Sequence, residues 1–261
     1  ALLMNEIRRD FGDIEVALNK ADGRSFVDAL LDSEPNHLDE LFRETLYNQT
    51  QGQALFTVEL VAGMKDRGEL IIDQNGFWQA GENISWQHLP AKVEAIIAER
   101  IGRLPFSQGQ LLKTGSIQGD TFASELVAQV LDRQPHEVIQ ILSGNLARTH
   151  RLLQVQGRQQ IGLKTLSIYR FRHNLFQQYV YNRLDPIERT YLHQVTAEKL
   201  ERFYETAEID LLTVAAQLAY HFSAAQETAK EIHYHKLAGQ HNLRLSADAA
   251  AADHFRQSME L

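Results

Sequence analysis

The chain has 261 residues, a net charge of −8 and 44% hydrophobic residues, a composition that excludes a disordered protein. It has no cysteine, which excludes disulfides, thiolate metal sites and cysteine nucleophiles and fits a reducing cytosol, so we expect a cytoplasmic protein. No apolar run approaches the ~18 residues of a membrane helix, and the low proline and glycine content favours a mainly α fold.

The two ends of the chain suggest a piece of a longer protein. The chain starts with Ala-Leu-Leu-Met, without a charged leader or a cleavage site, and it stops at Leu261 directly after a helical pattern. We therefore expect further residues on either side, and we refer below to the longer protein as the parent protein.

The first third of the chain predicts a strand end and then three helices. An alternating apolar stretch within residues 14–18 indicates the strand end. The helical periods that follow lie at residues 23–33, 36–47 and 54–67. Ser25 and Asn36 are the predicted caps of the first two helices, and Gly68 is predicted to end the third.

A short hairpin is predicted next, and a larger pattern follows it. Apolar residues flank Asn75-Gly76, which is a hairpin turn signal. Four helices are then predicted, with starts at Pro90, at Ser107, after a turn at 119–123, and at Pro135. The segments 152–155 and 166–171 read as the two strands of a β-hairpin.

Three short helices followed by a β-hairpin is the order of a winged helix, here with one extra leading helix. The helix from His173 to Arg183 would follow the wing. From Pro186 onward the pattern is helical throughout, in segments 186–205, 209–225, 228–246 and 247–261. Alanines and aromatics at the expected contacts indicate antiparallel helix pairs at the start of a helical-repeat array.

The charge is unevenly distributed. Seven basic residues and no acidic residue lie between Arg148 and Leu184, which leaves 19 basic against 34 acidic residues elsewhere. A positive region on an acidic protein attracts an anion such as nucleic acid or a nucleotide phosphate. The alternative is a face that docks on an acidic surface of the same protein.

Three segments together resemble the STAND class of signal-transduction P-loop ATPases, in particular the bacterial members fused to cyclase, kinase or transcriptional-activator modules. The segments are 50–59 (TQGQALFTVE), 86–105 (WQHLPAKVEAIIAERIGRLP) and 169–181 (YRFRHNLFQQYVY). The resemblance implies three domains. Residues 1–87 would hold the end of the nucleotide-binding core, a helical lid and a hairpin linker. Residues 88–184 would form the winged-helix domain, and residues 185–261 would begin a sensor of TPR-like helical repeats.

The resemblance also implies nucleotide contacts. Family members hold ADP in a closed resting state and exchange it for ATP, and a Gly-x-Pro motif of the lid contacts the base. The candidates in this lid are Thr50, Gly52 and Ala54, and Ala54 stands where the family has proline. In the winged helix of many relatives, the histidine of a Met-His-Asp motif touches the ADP β-phosphate, and His173 resembles it in position.

Physical chemistry supports His173 independently, because the start of a helix favours an anion. Arg172 adds a guanidinium fork that suits phosphate, and it completes the set of candidate nucleotide contacts. The open alternative is that His173 is a capping or packing residue without a ligand.

Catalytic signatures are missing. A P-loop needs Gly-x-x-x-x-Gly-Lys-Ser/Thr, and the only similar pair, Lys113-Thr114, has no glycine loop before it. We therefore expect no catalytic residues, no metal site and no cofactor in this chain, with ATP or ADP and Mg²⁺ held by the parent protein. His233 and His235 fall on different helix faces, so we do not expect them to bind a metal together.

Two alternatives stay open beside the regulatory module: a DNA-binding winged-helix regulator and a helical interaction scaffold without switching. The helix considered for groove reading is 122–131, where only Gln129 suits base contacts, so DNA is not an expected partner. The expected partners are the P-loop core of the same protein and a protein or small-molecule signal at the helical repeats, with self-association of the parent protein as a further option. No membrane contact is expected.

Overall fold

A computed structural model describes residues 23–81, 83–86, 89–162, 164–207 and 209–260. These residues form two compact units, one up to Val93 and one from Glu94 onward, and each unit is described by itself. The predicted strand end at 14–18 and the end of the nucleotide-binding core lie outside the described residues. The division into three domains at 87/88 and 184/185 stays a prediction.

The first unit contains the three predicted helices and the predicted hairpin. Its elements are α1 (Gly23–Leu31), α2 (Glu40–Thr50), α3 (Ala54–Asp66), β1 (Leu70–Ile72) and β2 (Trp78–Ala80). The apolar faces meet in one core, formed by Val27, Leu31, Leu38, Phe42, Leu46, Leu60, Val61, Met64 and Leu70. Burial of these side chains holds the unit together, since each stabilises the fold by roughly 1.5–3 kcal/mol.

The predicted caps of the first two helices are wrong. Ser25 lies inside α1. Helix α2 starts at Glu40 because the side chain of Asp39 accepts a hydrogen bond from the backbone N of Phe42 at 2.8 Å. Asn36 instead accepts from the backbone N of Leu38 at 3.1 Å, which makes a turn before the helix. Two residues that both suit an N-cap lie close together here, and the later one takes the role.

The second unit contains most of the chain, and the boundary between the units falls within its first helix. Its elements are α4 (Ala91–Gly102), α5 (Phe106–Gln118), β3 (Thr121–Ala123), α6 (Ser124–Val130), α7 (Pro135–Gln140) with a π-helical continuation (Ile141–Thr149), β4 (Leu153–Ile161), β5 (Lys164–Phe171), α8 (Asn174–Asn182), α9 (Pro186–Thr206), a 3₁₀ turn (Leu211–Val214), α10 (Ala215–Ala224), α11 (Thr228–Arg244) and α12 (Asp248–Glu260). The fold is therefore mainly α, as predicted.

The hairpin of β4 and β5 is confirmed, and a third strand joins it. The sheet order is β3–β5–β4, and every pairing is antiparallel. The sequence suggested only a turn at 119–123, but Thr121–Ala123 pairs with β5, with Phe122 opposite Tyr169. The pairing satisfies the backbone groups of this segment while Phe122 becomes buried.

Strand β5 is buried on both of its faces. Tyr169 and Phe171 are buried on one face, where Phe122 contacts both rings. Leu166 lies on the opposite face of the strand, because its position differs from theirs by an odd number of residues. There it joins a core that includes Leu200 of α9. The sheet thus lies between two helical layers of the same unit.

Helices α9 to α12 follow one another through short connections, and each packs on the next. Small residues allow the close approach that the sequence suggested. At Gly239 of α11, an added Cβ atom would lie 2.7 Å from the ring of Phe255 on α12. None of the described helices is both long and apolar enough to cross a bilayer.

Candidate functional site

Thr50 lies at the end of α2 and is fully buried. Its hydroxyl donates to the carbonyl of Leu46 at 2.9 Å, and the hydroxyl of Thr57 on α3 lies 3.0 Å from it. The backbone N of Gly52 also donates to the Thr50 Oγ1 atom, at 3.3 Å. Thr50 therefore ties the end of α2 to the start of α3.

Gly52 has a φ of +67°, and its position requires glycine for a second reason. A Cβ atom there would lie 2.2 Å from the carbonyl oxygen of Gly23, so the loop packs directly on the backbone at the start of α1. Ala54 is the exposed first residue of α3, a position where proline costs no hydrogen bond. The structure thus brings Thr50 and Gly52 together and leaves Ala54 on the surface of the same turn.

His173 is the N-cap residue of α8, which confirms the predicted helix start. Its backbone is extended (φ −132°, ψ 137°), and its carbonyl accepts from the backbone N of Phe176 at 3.0 Å. The imidazole packs edge-on against the Phe176 ring, with 5.2 Å between centroids. The histidine therefore stands where the free N–H groups of the helix begin.

Two arginines accompany His173. The backbone N of Arg172 donates to the carbonyl of Leu152 at 2.9 Å, while its buried Nε has no hydrogen-bond partner among the described residues. Arg100 of α4 lies over the Phe176 ring at 5.3 Å and donates to the carbonyl of His150 at 2.9 Å. Sequence reasoning missed Arg100, because it lies outside the basic stretch. Its place in the last turn of a helix gave no hint of the contact.

The start of α8 has features that attract an anion. His173 and Arg172 adjoin the helix N-terminus, and Arg100 meets the ring of Phe176, which also contacts His173. A helix N-terminus and a guanidinium group both favour phosphate oxygens. Thr50, Gly52 and Ala54 belong to the other unit.

The basic stretch from Arg148 to Leu184 is only partly neutralised. Arg170 pairs with Asp120 at 3.1 Å, and Arg183 pairs with Glu94 at 3.3 Å. Three exposed members have no acidic partner in the part of the chain that the structure describes: Arg148, Arg151 and Arg158. These three flank or belong to the hairpin, which therefore presents the positive charge.

Residues 122–131 do not form a groove-reading helix. They comprise the end of β3 and the short helix α6, and Leu126, Val127 and Ala128 are buried. Gln129 is exposed, but its neighbours pack inward. The helix directly before the hairpin is instead α7 with its π-helical continuation, where Arg148 is exposed.

A buried polar network joins α8, α9 and α10. The hydroxyl of Tyr181 lies 3.0 Å from Nε2 of His193, and Nδ1 of His193 lies 2.9 Å from Nδ1 of His221. Burial, together with the charge of Arg189, lowers the pKa of His193 to about 4. Burial and the neighbouring His193 lower the pKa of His221 to about 3. Both imidazoles are therefore neutral at pH 7, so one Nδ1–H donates to the other Nδ1.

His233 is exposed and His235 is buried, so the two lie on different faces of α11, as predicted. Across the described ranges, no three histidine, aspartate or glutamate side chains are arranged to hold a metal ion.

No protein-family model matches this chain, and no curated protein or solved structure is significantly similar to it.

Proposed function

We propose that the chain is the non-catalytic regulatory part of a STAND-type signalling ATPase. In this proposal the first unit supplies the helical lid, residues 88–184 form the winged-helix domain, and α9 to α12 begin a TPR-like sensor. The lid and the winged helix sense the nucleotide in the parent protein, and the winged helix passes its state to the sensor. Mg²⁺ and the triphosphate would be held by the P-loop core of the parent protein.

One observation carries the proposal. The second unit has the order helix, strand, two helices and hairpin, and its last strand, β5, lies at the centre of the sheet. That is the order of a winged helix, and the next helix begins at His173, the position of the nucleotide-sensing histidine in the resembling family. The strand β3 and the helix start at His173 are features of the fold itself and do not rest on that resemblance.

The residues at the start of α8 fit a phosphate. Arg172 directly precedes His173, the N-cap residue, and the N–H donors of its guanidinium suit phosphate oxygens. The phosphate's negative charge would draw His173 and Arg172 toward the core of the parent protein. When the nucleotide changes, this contact is lost and the winged helix is released. The exposed arginines of the hairpin would dock on an acidic surface of the parent protein.

The test uses the parent protein with its own P-loop core. Replacing His173 by alanine is expected to accelerate ADP release about tenfold, since it removes one charged or polar contact to the nucleotide. Stopped-flow release of a fluorescent ADP analogue measures the rate. His233→Ala, a change of the same size at an exposed position, should leave the rate unchanged. Equal rates in the wild type and the His173 variant would refute the sensor role.

A second candidate function, DNA binding, is favoured by the three exposed arginines at the hairpin. Phosphate contacts by these residues would make binding to duplex DNA steeply salt-dependent. Titration of the chain with duplex DNA at low salt distinguishes the candidates. Sub-micromolar binding that weakens in Arg158→Ala, but not in the exposed control Arg256→Ala, would favour DNA over an internal docking face.

A further inference from the structure

Helices α10, α11 and α12 line an open cavity of about 400 Å³. This volume is within the range of pockets for small molecules. The polar side chains at its wall are Tyr220 and Ser223 of α10, Glu231 and His235 of α11, and His254, Gln257 and Glu260 of α12. The cavity is separate from the start of α8, where the nucleotide contact is proposed.

Glu231 is the most unusual of these groups. Its side chain is nine-tenths buried, with 10% exposed, and it lines the cavity. Among the described residues, the cation donor that faces it is Nε2 of His235 at 3.9 Å, which is too long for a hydrogen bond. The carboxylate lines the cavity and has no hydrogen bond to another described side chain, so its oxygens can accept from a donor that enters the cavity.

His235 does not neutralise Glu231. Its Nδ1 lies 3.0 Å from Nδ1 of His254, so the two imidazoles already share a hydrogen bond. Burial lowers the pKa of His235, His254 acts in the same direction, and Glu231 opposes both. At neutral pH His235 is therefore uncharged. No lysine or arginine is among the described residues that line the cavity, so the carboxylates of Glu231 and Glu260 give it a negative charge.

The geometry favours an organic cation over a metal ion. A metal bound by both histidines would need to replace the bond between the two Nδ1 atoms. Glu231 faces the other side of the His235 ring, at Nε2, so the carboxylate and the two Nδ1 atoms do not converge on one point. A protonated amine needs only the carboxylate, and an ammonium group brings three donors to it.

We propose that this cavity binds a protonated aliphatic amine, whose ammonium group donates to the carboxylate of Glu231. The half-exposed ring of Tyr220 contributes a face for the cation. Ser223 offers a hydroxyl acceptor, and Glu260 provides a second negative charge for a second ammonium group. Because the cavity has two carboxylates, we expect a diamine to bind more tightly than a monoamine. The role of this amine as the signal of the sensor rests on the proposed function. The binding of the amine in the cavity does not depend on that function.

Calorimetric titration of the 261-residue chain with 1,4-diaminobutane at pH 7.5 and low salt tests the site. The wild type is expected to bind saturably at one site. Glu231→Gln keeps the shape and removes the charge, and it should weaken binding about tenfold to a hundredfold. Glu227→Gln, the same change at an exposed position one turn earlier, should stay within about twofold.

A second variant tests the site without a change at a buried side chain. Glu260→Gln alters an exposed residue of the cavity wall and removes the second negative charge, so it should weaken binding of the diamine about threefold, while circular dichroism checks that each variant is folded. Absence of saturable binding in the wild type, or equal binding by Glu231→Gln, would overturn the proposal. So would binding of Zn²⁺ that excludes the diamine and disappears in His254→Ala, because the site would then hold a metal.

The titration contains no nucleotide, so it does not depend on the ATPase proposal. If the chain binds the diamine but the diamine leaves ADP release by the parent protein unchanged, the sensor role fails and the site stands. If ADP release depends on His173 but the chain does not bind the diamine, the nucleotide role stands and the amine site is wrong.

Discussion

Two histidine pairs in the second unit have nearly the same contact and opposite surroundings. His193 and His221 face each other at 2.9 Å between Nδ1 atoms, and His235 and His254 do so at 3.0 Å. The first pair is buried, 0% and 1% exposed, between α9 and α10. The second pair lines the open cavity beside Glu231.

The difference teaches that the same hydrogen bond can lie inside a sealed core in one place and at the wall of an open cavity in another. In the sealed pair, Tyr181 satisfies the second nitrogen of His193, so that imidazole is bonded on both sides. In the open pair, the outer nitrogen of His235 faces a carboxylate that it does not reach. We therefore expect changes at the sealed pair to cost stability and changes at the open pair to cost ligand affinity.

The largest expected effect is at the sealed pair itself. His193→Ala leaves a cavity and removes the partner of both His221 and Tyr181, so we expect the free energy of unfolding to fall by about 3 kcal/mol. Chemical denaturation followed by circular dichroism measures it. The exposed control His233→Ala should change it by less than about 0.5 kcal/mol. Equal losses in the two variants would show that the buried network does not stabilise the unit.

Acidification should act on the sealed pair next. Folding lowers the pKa values of His193 and His221. Below about pH 6.5 the unfolded chain therefore binds protons at these histidines, while the folded chain does not. The contribution of the neutral pair to the free energy of unfolding is thus fully present above pH 6.5 and is lost as the pH falls toward 4.

For His193 alone, the expected loss between pH 7.5 and pH 5 is about 2 kcal/mol. Urea denaturation at a series of pH values measures this loss. The lowered pKa of His235 adds a contribution of the same sign. A free energy of unfolding that stays constant from pH 7.5 to pH 5 would contradict the neutral buried pair.

Tyr181→Phe should have a smaller effect, because it removes one hydroxyl and leaves Nε2 of His193 without its bond. We expect a loss of about 1–2 kcal/mol, measured by denaturation at pH 7.5. Tyr191→Phe is the matched control, since Tyr191 is 61% exposed. In a His193→Leu background the cost of the Tyr181 change should fall to the smaller part that comes from the contact of its hydroxyl with Tyr220, and an undiminished cost would refute the role of the His193 bond.

The smallest effect on stability is expected at the open pair. His254→Ala removes a half-buried imidazole at the cavity wall, where solvent can replace its hydrogen bond, so the loss should stay below about 1 kcal/mol. Thermal unfolding measured beside His193→Ala gives the comparison. A loss as large as that of His193→Ala would mean that both pairs serve packing, and the contrast between them would be wrong.

The sequence predicted most helices because their apolar period is local. It failed where distant residues decide the structure. Thr121–Ala123 is too short to signal a strand, and only the free edge of β5 makes it one. Asp39 competes with Asn36 for the N-cap, and both residue types suit that position equally.

The same reason limits what could be predicted of the sites. The position of His173 at a helix start is a local property, and it was predicted. The partners of the two pairs, His193 with His221 and His235 with His254, are 28 and 19 residues apart, and only helix packing joins them. The one usable signal was the spacing of Glu231 and His235, which places them four residues apart on one helix face.

The double burial of β5 has a consequence for any attempt to divide this protein. Leu166 and Ile168 are covered by the layer that contains Leu200 and Phe203 of α9. A fragment that ended at residue 184 would expose one apolar face of the sheet to solvent and would be prone to aggregate. The hairpin therefore shares its core with the helices that follow it. The chain from Glu94 to its last helices is one folding unit and not two independently stable parts.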